Sequence, residues 1–435
     1  MGIGPTAPNQ VIDIMLHGSF LTFVRAGGPR IHFFLAFIGI LLTPLLIPLA
    51  PRQSALFVGY PMLVFWAFRP RISTIDVRNF CFAAWAVCLL GVWAGASWLW
   101  ADDPSIAANW GWRIAGLLLI AVLTNPAVTD YPLHKMQPAF RALLVVWPLA
   151  ILALIVLTAA QRGWIDMAVN IFTDRSLIVL NNSMQAMALM VFTTPIAAKL
   201  AGLRVGTSAS LGLIAIGFGL SLIYGDSQAG SLGILAGSVV LVLTLWRPVF
   251  GLVALIALLV AVVVMPVAIT MWLYPDGVPT LLEVLPRSFV HRLEIWSLTI
   301  EAIGQRPWLG WGLEASRSLV IDDRSTLLFQ DVAKIPLHPH NAFLQIQLDL
   351  GVIGSALAIV TIGLILRFLW AAPRLTRASG FAAMAGAGTV YGFAVGVWQE
   401  WWIILLFFVA AMLRGCAHWE RQASSGSEAS SVAKP

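Results

Sequence analysis

The chain has 435 residues, of which 59% are hydrophobic and only 11% are charged, and its mean hydropathy is +0.87. That balance excludes an ordinary water-soluble domain. The formal net charge of +6 reflects basic loops between apolar segments and not a basic binding face, so no nucleic-acid partner is expected.

Apolar runs near the length a bilayer core demands recur along the chain. They fall near 32–50, 54–68, 79–100, 113–128, 141–160, 178–198, 208–224, 230–246, 249–273, 341–366, 379–397 and 401–415. The expected fold is an all-α polytopic membrane protein with about twelve transmembrane helices. Nine lie in 1–273, a long loop occupies 274–340, three more lie in 341–415, and 416–435 is a small, polar tail expected to be unstructured. Arg25 and Arg30 precede the first run without a small-residue cleavage site behind it, which reads as a retained span. Cys81, Cys88 and Cys416 sit within spans or at a span end, so neither a disulfide nor a thiolate metal site is expected.

Lys and Arg set the orientation. With a cytoplasmic N-terminus, inside segments hold clusters such as Arg69, Arg71 and Arg78, and Arg367, Arg374 and Arg377, whereas the short outside loops hold only Arg52, Arg113, Arg162 and Arg175. Both termini are then cytoplasmic and the long loop lies outside. Within it, Phe289, Leu293, Trp296 and Ile300 recur at helical spacing between Pro286 and Gly304, which predicts an amphipathic helix on or near the membrane surface. Arg292 and Trp296 share one face, the guanidinium aimed inward and the indole anchored at the interface. A loop this long is expected to cap a cavity.

The loop ends in "LHPHNAF", where Pro339 disfavours α conformation at His338 and places His340 and Asn341 in the first turn of the next span. The positive helix end and partial burial both favour a neutral imidazole, a general base by type. A capping or interfacial histidine and a His-x-His metal site are the alternatives. Metal is disfavoured because the proline splays the rings and no carboxylate stands at a supporting spacing. Arg175 and Arg292 fall on the same side as His340. Either can snorkel or pair with Asp174 or Glu294, yet two arginines facing one histidine suit anion handling, since guanidinium groups grip phosphate oxygens in pairs.

The stretch "HNAFLQIQLDLGVIG", with His340-Asn341 followed by Gly351 and Gly354, resembles the His-Asn…Gly-x-x-Gly signature of the O-antigen ligases and related polymerases. "HRLEIW" at Arg292 and "PWLGWG" from Pro307 are similar to that family's arginine-bearing loop helix and the turn behind it. The resemblance implies a C-type membrane glycosyltransferase fold in the bacterial inner membrane, with its active site on the periplasmic side. It implies an undecaprenyl-diphosphate-linked O-antigen donor, a lipid A–core acceptor, membrane lipids as surroundings, and inverting transfer without cofactor or metal. His340 would be the catalytic base, with Arg175, Arg292, His338 and Asn341 binding substrate. One position departs: where many members carry an arginine at the outer end of a mid-chain span, "GDSQAG" offers Gln228, which can donate to phosphate without bringing charge. Polymerisation of the same glycan or its transfer to protein fits the motifs as well. A transporter fits less, because it should carry ionisable groups inside its spans, and these spans are nearly free of them.

Overall fold

A computed structural model describes residues 82–124, 175–200, 227–273, 287–319 and 337–432, and all that follows concerns those residues. Every regular element among them is a helix. The expected spans at 32–50, 54–68, 141–160 and 208–224 lie outside them.

Helix α1 (Phe82–Ala96) ends in a 3-10 turn at Ser97–Leu99 and is followed by α2 (Pro104–Thr124). α3 (Arg175–Met190) passes through a 3-10 turn at Val191–Thr193 into α4 (Thr194–Leu200). The cause is Pro195, which has no N–H for the Val191 carbonyl; the Thr194 hydroxyl supplies a donor instead, at 2.7 Å. α5 (Gln228–Trp246), α6 (Pro248–Leu273) and α7 (Arg287–Gln305) follow. α8 (Ala342–Trp370), α9 (Arg374–Phe393) and α10 (Glu400–Val432) complete the order.

Four of these helices, in α5, α6, α8 and the first part of α10, are long and apolar enough to cross a membrane. α9 runs through the middle of the packing, buried along most of its length. Small residues bring it close to its neighbours: a Cβ on Gly233 of α5 would stand 3.0 Å from Ala188 of α3 and 3.1 Å from the Gly386 carbonyl of α9. Without that side chain the α5 backbone comes directly against the Ala188 methyl and the α9 backbone. At the opposite end of the bundle from the site, Glu420 ties α4, α9 and α10 together through an ion pair with Lys199 and a 2.7 Å bond from the Thr376 hydroxyl.

Three expectations are corrected. The run at 341–366 is not one continuous helix, because Gly351 adopts φ 64°, ψ −163° and breaks α8 into two arms. The segment expected to be an unstructured tail begins inside α10, which continues to Val432. Its Ala, Arg, Gln and Glu residues are compatible with helix, and Glu420 anchors its start. Finally, Trp296 is not an interfacial anchor: it is fully buried and donates from Nε1 to the Pro339 carbonyl at 3.0 Å. α7 thus packs into the protein on the Trp296 side, against α6 and α8, and holds the histidine loop.

A break in an apolar helix leaves carbonyls and N–H groups that lipid cannot satisfy. Here the "PWLGWG" turn fills them. Trp311 and Gly312 donate to the carbonyls of Leu348 (2.8 Å) and Asp349 (2.9 Å), while Val352 donates to Pro307 at 2.8 Å. Both partners need glycine. Gly351 stands at positive φ with the Trp308 carbonyl where its Cβ would go, and Gly310, at φ 73°, lies against the Asp349 backbone.

Candidate active site

Three segments meet at the histidines: the 337–341 loop, the turn region 306–319 behind α7, and the 394–399 connection between α9 and α10. His340 precedes the helix and is not in its first turn. Its φ is 53°, the left-handed region that only a minority of non-glycine residues adopt. Asn341 is the N-cap of α8, its Oδ1 accepting from Phe343 N (3.0 Å) and Leu344 N (2.9 Å). The two rings are not splayed apart by Pro339 but meet edge to face, 4.5 Å between centroids.

The nitrogens separate their roles. Nδ1 of His340 lies 3.2 Å from the Ala394 carbonyl. A carbonyl oxygen only accepts, so Nδ1 carries the hydrogen and Nε2 the lone pair. No hydrogen-bond partner for Nε2 is found among the described residues. Both nitrogens of His338 face protein groups, Nδ1 the main-chain N–H of His340 (3.3 Å) and Nε2 the amide of Gln399 (3.2 Å). Each ring keeps some solvent contact, yet the protein around them governs their charge. Burial pushes His338 down to about 3, helped by His340 and Arg317. Burial also lowers His340; the Ala394 carbonyl pulls it up, and Arg292 and His291 push it down again. Of the two reasons expected for a neutral ring, burial is the leading one here, joined by a neighbouring cation.

That cation, Arg292, comes from α7 and is itself largely enclosed, with burial disfavouring its charge. No hydrogen bond or ion pair to it is found among the described residues. A part-buried guanidinium near enough to His340 to act on its charge, with no counter-ion among the described residues, suits an anionic ligand. Arg175 is the first residue of α3, and its side chain lies outside the described set. Gln228 is an exposed first residue of α5 behind the Ser227 cap, and no hydrogen bond between it and the histidine loop is found among the described residues.

Asn341 is fully buried, and its amide joins the scaffold: Nδ2 donates to Val262 of α6 (3.2 Å) and Gly392 of α9 (3.0 Å). One helical turn on, Gln345 donates to Glu314 (3.4 Å) and accepts from Val397 N (3.0 Å). One turn further, Asp349 accepts from Glu314 N (3.1 Å), Ala315 N (3.2 Å) and the Trp398 indole (2.7 Å). Glu314, at φ 58°, pairs with Arg317, whose guanidinium lies 4.9 Å over the Trp110 ring. Burial raises the Glu314 carboxyl, while Arg317 and Gln345 hold it back. Gln345, Asp349, Glu314 and Gln399 were not among the expected site residues. Asp349 is an ionisable residue within one of the nearly charge-free spans. The signal was present as a polar stripe at Asn341, Gln345 and Asp349, spaced four apart in an otherwise apolar helix. Among the described residues no group of three or more His, Cys, Asp or Glu gathers where a metal ion could be held.

Residues 213–359 match the family model described as O-antigen ligase. The match takes in α5, α6, α7, the histidine loop and the break at Gly351. Five curated proteins are similar to this chain. Those from Rickettsia conorii and Rickettsia prowazekii are 30% and 28% identical over 197 residues, 43% of this chain and 47% of theirs. One from Rickettsia bellii is 28% identical over 196 residues. All three are provisionally named polysaccharide ligases. The chain spans about half the length of the curated relatives it matches.

Proposed function

We propose that this membrane protein, whose residues 213–359 carry a domain of the O-antigen ligase family, transfers a glycan from undecaprenyl diphosphate to a lipid A–core sugar. The observation that carries the reading is the combination of an imidazole whose tautomer is fixed, His340, with an enclosed guanidinium that acts on its charge and has no counter-ion among the described residues, Arg292. Nε2 of His340 takes the proton of the acceptor hydroxyl as that oxygen bonds to the anomeric carbon of the donor. The bond from that carbon to the diphosphate breaks on the opposite face, which inverts the configuration. The electron pair leaves with the lipid diphosphate, and Arg292 and Arg175 stabilise the charge that develops there. Such hydrogen bonds strengthen as charge accumulates, so they act on the transition state more than on the bound donor.

His338, with both nitrogens engaged by the scaffold, orients the His340 loop. Gln228 is a neutral donor toward the diphosphate. The arginines do the work of a divalent ion, and the reaction needs no metal or other cofactor. The site faces the periplasm from the inner membrane, with both termini in the cytoplasm and about twelve spans in a C-type glycosyltransferase fold. Purified protein mixed with lipid-linked glycan and lipid A–core should yield lipopolysaccharide of higher mass. Lengthening of the lipid-linked glycan when no lipid A–core is present would identify a polymerase instead, and no product in either mixture would sink the transferase reading.

A further inference from the structure

We infer that Asn341 is a positioning residue: by bridging two helix carbonyls that their own helices leave open, it fixes the direction and the tautomer of His340. The first carbonyl is that of Val262. Four residues on stands Pro266, inside α6, which has no N–H to return. The second belongs to Gly392, in the last turn of α9. There the chain folds back so that Ala394 N and Val395 N both donate to Val390, leaving the Gly392 carbonyl without a main-chain donor among the described residues. A Cβ on Gly392 would stand 3.0 Å from the Val262 Cβ, so the absence of a side chain lets the helices meet closely enough for one carboxamide to straddle both. The other half of the amide caps α8. Both N–H groups and the oxygen are thereby engaged, and nothing remains to offer a substrate.

The consequence falls on the neighbouring residue. His340 holds a left-handed backbone that persists only where its surroundings over-determine it. Trp296 holds the Pro339 carbonyl on one side, and Asn341 is locked on the other. The ring and the amide grip the same end of α9, Nδ1 on Ala394 and Nδ2 on Gly392. Val191 has a proline four residues on as well, but its substitute donor comes from within the same helix. At Val262 the donor comes from the loop that carries the base, so closing the gap in α6 and aiming the imidazole are one act.

This inference rests on His340 as the base, and the test separates the two. Asn341→Ala should lower both thermal stability and transfer. Adding Pro266→Ala gives the Val262 carbonyl an N–H again and should restore most of the stability. If Asn341 positions His340, kcat in the double variant stays at least about tenfold down, roughly 1.4 kcal/mol, with the donor KM little changed. Pro266→Ala alone should resemble the parent protein. Nitrogen NMR of histidine-labelled protein, assigned by loss of the His340 signal in His340→Gln, should show an Nδ1–H ring in the parent and mixed tautomers in the double variant. Recovery of kcat together with stability, full kcat in Asn341→Ala, or an unchanged ring in the double variant would each overturn the inference. Absence of transfer by the parent protein would defeat the catalytic reading alone, and the ring spectrum would still decide the role of Asn341.

Discussion

Nδ1 of His340 stands 3.2 Å from the carbonyl oxygen of Ala394, and that contact determines which nitrogen is free to receive a proton. The neighbouring His338 has no such division, since protein groups face both of its nitrogens. His340→Ala should therefore reduce transfer by about a hundredfold to ten-thousandfold, the usual contribution of a general base, with membrane yield unchanged. His338→Ala should cost less. Comparing initial rates of the two purified variants checks this, and the reverse ranking would exchange their roles.

Arg292 should be hard to replace. Arg292→Ala removes a charge-assisted contact worth about 1.5–3 kcal/mol, or roughly ten- to a hundredfold in rate. Lysine should recover only part of it, because an ammonium cannot reproduce the planar fork that grips two phosphate oxygens. Arg175→Ala and Arg175→Lys should behave alike. Full turnover in the lysine variants would show that point charge alone suffices.

Transfer should be indifferent to metal. Among the described residues the Arg292 guanidinium has no counter-ion, and the acidic couple near the histidines is already engaged: Asp349 by three N–H donors, Glu314 by Arg317. Saturating EDTA should leave the rate unchanged, and added Mg²⁺ or Mn²⁺ should not raise it. Activity lost in chelator and regained with a divalent ion would move the diphosphate contact from arginine to metal.

The break in α8 yields a stability prediction. Gly351→Ala puts a Cβ against the Trp308 carbonyl at a left-handed backbone position, so both the clash and about 1–3 kcal/mol of backbone strain should appear. The melting temperature in detergent should fall by several degrees. Gly363→Ala, which meets nothing within 4 Å, is the control and should change little.

The spacing at 287–305 was sufficient to place α7, because apolar residues at helical intervals between a proline and a glycine have few other readings. Trp296 shows where such reasoning stops: the period indicates that the indole shares a face with Arg292, but what that face meets depends on a carbonyl more than forty residues away. Position 351 shows the same limit. A glycine within an apolar run is compatible with an unbroken helix, and only the docked 307–312 turn makes the break affordable in lipid. Asn341, Gln345 and Asp349 were legible as a polar stripe, whereas their partners in α6, α9 and the 394–399 connection were not, since nothing local in those segments marks them as acceptors.

The pH dependence of transfer follows from the surroundings of His340. Enclosure comes first and Arg292 after it, both lowering the ring's pKa below its usual value of 6.5, with the Ala394 carbonyl opposing them. The active form is the neutral ring, so kcat/KM should be flat from alkaline pH down through about 6.5 and fall only below it, by about tenfold per pH unit once the imidazolium dominates. Removing the positive charge at Arg292 removes one of the influences that depress the ring. The acid limb of Arg292→Ala should accordingly move to higher pH, while that of Arg292→Lys should stay near the parent's. Stability adds a separate acid limit. His338 is held down to about 3 in the folded protein against 6.5 for an ordinary histidine, so the unfolded chain binds the extra proton between those values and stability falls as pH drops through that window. In His338→Ala the loss of melting temperature between neutral pH and pH 4 should be smaller, although the acid limb of catalysis remains. Rate profiles and melting curves on the same three variants distinguish the two effects; an acid limb that does not move in Arg292→Ala would mean that the guanidinium lies too far from the ring to act on it.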